Sequence, residues 1–70
     1  MQESLARQKL VQFIDRGSSR AAIAKKLGIS RPSVSAWTSG HSKPLRDMRT
    51  ALELLTGGLV PAGDWDLLPP

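Results

Sequence analysis

Between Arg16 and Arg46 the chain carries seven cations and no Asp or Glu: Arg16, Arg20, Lys25, Lys26, Arg31, Lys43 and Arg46. Elsewhere three cations face six acids, and beyond Arg49 only acids remain: Glu53, Asp64 and Asp66. A basic middle with an acidic end suits a surface built for a polyanion. It equally suits the solvated face of a basic protein, and charge alone leaves both readings open. Eight serines and one histidine, His41, raise the question of nucleophilic catalysis. No Gly-x-Ser-x-Gly elbow is present, and no acid lies near His41 in sequence to orient it. Asp64 and Asp66 alternate in a proline-bounded tail, a poor platform for acid–base work. No phosphate loop or dinucleotide fingerprint occurs. The chain has no cysteine, which excludes a disulfide, a thiolate zinc site and a Cys nucleophile. A single histidine cannot build a metal site. No enzyme activity, cofactor or metal is expected; the chemistry on offer is binding.

The elements that must position these groups read as helices with sharp punctuation. At 70 residues, 40% of them hydrophobic, the chain is one small domain with a small core. Ala6, Leu10, Phe13 and Ile14 recur at helical spacing, and Arg16-Gly17 closes that helix. Ser18 and Ser19 are N-cap candidates for a second helix, whose apolar face is Ile23, Ala24 and Leu27 and which Gly28 ends. Ser30 caps a third helix with Pro32 in its first turn; Val34 and Trp37 are its apolar pair, and Gly40 stops it. Pro44 opens a fourth helix with Leu45, Met48, Ala51, Leu52 and Leu55 on one face, and Gly57-Gly58 stops it. From Leu59 onward, Pro61, Gly63, Pro69 and Pro70 predict an extended tail, not a helix. The expected fold is all-α: a compact bundle of four to five short helices over 1–58, then an extended C-terminal tail over 59–70.

The second and third helices carry the functional signal. Ala24 is small where two helices cross closely, Gly28 begins a tight turn, and Ile29 packs beneath it. Val34 and Trp37 bury the third helix, and Ile23 and Leu27 complete the wedge. This pattern is a helix-turn-helix. It leaves Ser30, Arg31, Pro32, Ser33, Ser35, Ala36 and Ser39 facing outward. That face is slim enough for a DNA major groove and has no acid to repel phosphate.

The run from Ala24 to Gly40 resembles the phage Cro and lambda-repressor-like helix-turn-helix domains, and the resemblance extends over roughly Leu5 to Leu55. Lys43-Pro44 and Thr56-Gly57-Gly58 are similar to the small Cro-like regulators of prophages, as is Trp65-Asp66-Leu67 in the tail. The tail departs from that pattern, because Pro61-Ala62-Gly63 sets Val60 further from Trp65. The resemblance implies a transcription regulator, most like a Cro-type repressor, binding a two-fold operator in double-stranded DNA through the helix at 30–39. It implies base reading by Ser30, Arg31 and Pro32, then by Ser35, Ala36 and Ser39. It implies phosphate contacts from Arg20 with Ser19 before it, and from His41, Ser42 and Lys43.

Each residue also has a plainer reading. Arg31 in the first turn of its helix suits the O6 and N7 of a guanine, or is an ordinary exposed arginine. Lys25 and Lys26 lie mid-helix, where a solvated face is the simpler account. Ser18 and Ser30 are caps first, and Trp37 is core. At the end of the fourth helix and in the tail, Leu54, Leu55, Leu59, Val60, Trp65, Leu67 and Leu68 either close over the core as a lid or make a dimer contact. One recognition helix reads few base pairs, so a weak homodimer that firms up on DNA is expected. The alternative is a protein-binding module, an antitoxin or adaptor that grips its partner with the acidic, apolar tail. No apolar run approaches a membrane span and no signal peptide begins the chain, so no membrane partner and a cytoplasmic, DNA-associated location are expected.

Overall fold

A computed structural model describes residues 4–69. All regular structure among them is helical: α1 Leu5–Asp15, α2 Arg20–Leu27, α3 Arg31–Ser39 and α4 Arg46–Leu55, then a 3₁₀ helix at Ala62–Asp66. None of these helices is long and apolar enough to cross a membrane.

Local chemistry starts and stops most of these elements. Ser4 is the N-cap of α1, its Oγ accepting from the Arg7 N–H at 3.1 Å. Of the two candidate caps for α2, Ser19 takes the role, accepting from the Ala22 N–H at 3.0 Å. Gly28 closes α2 in the left-handed region at φ 71°, and the Ile29 N–H then reaches the Ala24 carbonyl at 3.0 Å. Gly40 does the same for α3 at φ 83°. Ser30 stands at the N-cap position of α3 but makes no side-chain cap bond; its hydroxyl pairs with the Ser33 hydroxyl at 3.0 Å instead.

Two expectations need correcting. Pro44 does not open α4, which begins at Arg46 with Leu45 as N-cap. Pro44 is fully buried, and its carbonyl accepts from Arg49 Nε at 2.9 Å. Leu45 is therefore not on the inner face of α4. Its backbone is extended (φ −64°, ψ 160°), the helical period does not apply to it, and its side chain is 80% exposed. The second correction is the tail. It is not extended throughout, because Pro61 leads into one 3₁₀ segment at Ala62–Asp66. Trp65 in that segment is 1% exposed.

The core is Ala6, Leu10, Ile23, Ala24, Val34, Trp37, Leu52, Val60 and Trp65, with Phe13, Ile14, Leu27, Ile29, Met48 and Leu55 packed around it. α2 packs on α3, α1 on α3, and the 3₁₀ helix on both α1 and α4. Polar ties hold the tail down. The Leu5 N–H donates to the Leu67 carbonyl at 2.8 Å, and the Val60 N–H donates to Thr56 Oγ1 at 3.1 Å. The Ala62 N–H donates to Glu53 Oε1 at 2.8 Å, and Lys9 forms an ion pair with Asp64. Asp66 sits between Arg49 Nη1 at 3.1 Å and Lys43 Nζ at 3.5 Å.

Candidate nucleic-acid interface

The packing of α3 decides which of its side chains are available. Val34, Trp37 and Thr38 face inward and are buried. Arg31 and Pro32 are exposed at its start, and Ser35, Ala36 and Ser39 are half-buried along the same side. Arg31, Pro32, Ser35, Ala36, Ser39 and His41 together line one wide, shallow hollow. Five residues read from spacing as facing outward, with His41 of the following loop, thus share a single surface. Ser30 does not line it, and its hydroxyl is engaged with that of Ser33. No acid lines the hollow, and Arg31 makes no ion pair among the described residues.

Arg20, at the first position of α2, is exposed, and its Nε donates to Thr38 Oγ1 at 3.4 Å. Thr38 in turn donates to the Ser35 carbonyl at 2.9 Å, so α3 steadies the arginine of α2. Spacing named only Val34 and Trp37 as the inner residues of α3; Thr38, four residues after Val34, lies on the same side of the helix. Ser19 Oγ accepts the capping bond, which does not use its hydroxyl hydrogen. In the loop after α3, His41 and Ser42 are exposed, and His41 Nδ1 lies 2.7 Å from Ser39 Oγ. Lys43 is half-buried and partly satisfied by Asp66.

The acids of the tail thus engage Lys9, Lys43 and Arg49, on and around α1 and α4. Arg20, Lys25, Lys26, Arg31 and Arg46 are all exposed and have no acidic partner among the described residues. Leu45 adds something spacing did not foresee. It lines a second hollow with Ile29, Pro32, Ala36 and Met48, so apolar atoms border the α3 face.

Val60 and Trp65 of the tail lie in the core, and Leu55 at the end of α4 packs against it. Leu59 and Leu67 are about half exposed, at 48% and 52%. Leu54 and Leu68 stand out in solvent.

A small α-helical domain whose short helix, buried by a glycine-linked neighbour, presents a cationic acid-free face is a helix-turn-helix module. Comparison with protein families agrees: residues 6–40, half of the chain, match the helix-turn-helix domain family, and the chain belongs to it. That span runs from α1 through Gly40 and contains both helices of the motif. Its class is a DNA-binding domain. No curated protein and no solved structure matches the chain.

Proposed function

We infer that this protein is a sequence-specific transcription regulator, most like a Cro-type repressor, that docks α3 in the major groove of a two-fold operator. The observation that carries this reading is the single acid-free face of Arg31, Pro32, Ser35, Ala36, Ser39 and His41. Arg31 reads a guanine, whose O6 and N7 match the guanidinium fork. Ser30, Ser35 and Ser39 offer hydroxyls to base edges, and Pro32 and Ala36 offer apolar atoms to thymine methyl groups. Arg20, Ser19, His41, Ser42 and Lys43 bind the backbone phosphates and set the register. The steadying of Arg20 by Thr38 supports its place among them.

Repression is steric: an occupied operator blocks polymerase. Two copies pair weakly in solution and firmly on DNA, with half-sites about 34 Å apart, one DNA turn. The burial of Val60 and Trp65 supports a lid role for the inner side of the tail. Exposed Leu54, Leu59, Leu67 and Leu68 are left for the contact between copies.

The test is selection of bound sites from random duplexes, followed by titration of the best site at several salt concentrations. A two-fold site with affinity falling steeply as salt rises is the expected result. No enriched sequence and a flat salt response would refute it, and would favour a module whose partner is a protein.

A further inference from the structure

Leu45 goes against two local rules at once. It holds the N-cap position of α4, where Ser, Thr, Asp or Asn would accept from a free amide of the first turn, and its side chain caps nothing. It is also 80% exposed, which leaves a large apolar group in water. It belongs neither to the core nor to the residues packed around it. A residue that serves neither its helix nor the core marks a functional position. Its backbone is held on both sides. Pro44 before it is fully buried, and the Pro44 carbonyl accepts from Arg49 Nε at 2.9 Å. The Leu45 carbonyl accepts from the Arg49 N–H, also at 2.9 Å. The side chain is therefore presented from a fixed point.

That point adjoins the α3 face. Pro32 and Ala36, one turn apart, line both the hollow that holds Arg31 and the one that holds Leu45. The apolar stripe therefore continues from the α3 face onto the start of α4. The Leu45 hollow also has a cation in its lining, Lys43, and no acid; Asp47 does not line it. Arg46, next in the chain, is exposed and has no acidic partner among the described residues. An apolar strip with cations beside it matches a major groove, which offers the thymine C5-methyl group between walls of phosphate. We propose that Leu45 is a specificity-determining residue that packs, together with Pro32 and Ala36, on the C5-methyl group of one thymine in each half-site. The proposal rests on the DNA reading above and adds a base contact from beyond the 6–40 span of the family match. Cytosine at that position would bring no methyl group and would place an unpaired amino donor against the leucine.

Uracil differs from thymine only by that methyl group. The experiment replaces each thymine of the selected duplex in turn by uracil and measures the affinity of the wild-type chain, Leu45→Ser and Leu45→Met. In the wild type, uracil at the position facing Leu45 weakens binding about fourfold, the worth of one buried methylene-sized group. In Leu45→Ser the thymine duplex binds more weakly, and uracil at that position adds little further loss. Uracil penalties at other thymines persist, because Pro32 and Ala36 are unchanged. Leu45→Met keeps an apolar chain of similar volume and retains the penalty. Serine is the better N-cap, so Leu45→Ser is at least as stable as the wild type in urea, which separates lost reading from lost folding. Uracil penalties identical in the wild type and Leu45→Ser at every thymine would overturn the proposal and leave the exposed leucine for a protein contact. A loss of stability in Leu45→Ser that accompanies weaker binding would overturn it too, by making Leu45 a structural residue. Either result leaves the DNA reading intact. A wild-type chain that is folded by circular dichroism yet selects no duplex would overturn both.

Discussion

Replacing Trp65 by Ala tests whether the tail is part of the domain or an appendage reserved for a partner. The side chain is 1% exposed, and its segment packs against both α1 and α4. A buried tryptophan removes about 150–250 Å² from water. At about 25 cal/mol per Å², that corresponds to roughly 4–6 kcal/mol for the whole side chain. Part of this is already gained in a compact unfolded ensemble. Measured Trp→Ala changes in cores cost about 3–5 kcal/mol. Small domains have only roughly 0.05–0.15 kcal/mol of stability per residue, so this one has less than 11 kcal/mol in all. Trp65→Ala is therefore expected to remove roughly a third or more of the stability. Urea unfolding followed by the remaining fluorophore, Trp37, reads this directly. The indole Nε1 has no hydrogen-bond partner among the described residues. Trp65→Phe keeps most of the apolar contact and deletes that donor, so it should cost less than about 2 kcal/mol. A Trp65→Ala protein that loses under about 1 kcal/mol, yet loses cooperative binding to a full site relative to a half-site, would refute the lid argument. It would make Trp65 an interface residue.

Arg31→Ala is expected to cost about 1–3 kcal/mol at one or two base positions per half-site, measured by titrating single-base variants of the selected site. Equal weakening across all sequences would make Arg31 a phosphate contact. Arg20→Ala should weaken binding to every sequence alike and lower the salt slope by about one unit. Lys43→Ala should lower the slope less, since Asp66 already neutralises part of that charge at 3.5 Å; unchanged slopes in both would misplace the docking face. Gly28→Ala tests the turn of the motif. A Cβ there meets no heavy atom within 4 Å, so only the left-handed backbone at φ 71° resists it. The expected loss is about 1–2 kcal/mol by urea midpoint, smaller for Gly28→Asn, and no loss in either would show that the turn relaxes freely.

Much of the motif was legible along the chain because its signals are local. A serine whose hydroxyl reaches the third amide onward, a glycine free to enter the left-handed region, and an apolar pair three residues apart act within one turn of helix. Gly28, Gly40, Val34 and Trp37 could therefore be read without knowing what lay opposite, and the α2 cap narrowed to Ser18 or Ser19. The α3 face followed by subtraction: once Val34 and Trp37 are inside, Arg31, Ser35 and Ser39 have only one side left. The acid-free span from Arg16 to Arg46 was likewise plain in the order of residues.

What the tertiary structure alone decided were the placements that depend on a distant neighbour. Pro44 and Leu45 had the composition of a helix start, yet Pro44 is inside and Leu45 outside. An N-cap residue leaves the helical period, and the Pro44 carbonyl is tied to the Arg49 side chain of α4. Trp65 lies in a run of prolines and glycines that encodes no periodic face. Its burial follows from the gap between α1 and α4 that the 3₁₀ helix fills. The pairing of Lys9 with Asp64 spans 55 positions, and that of Lys43 with Asp66 joins the loop after α3 to the tail. No local rule links residues so far apart in the chain. Sequence order determined which cations could meet DNA; chain closure determined which of them were left without an acid.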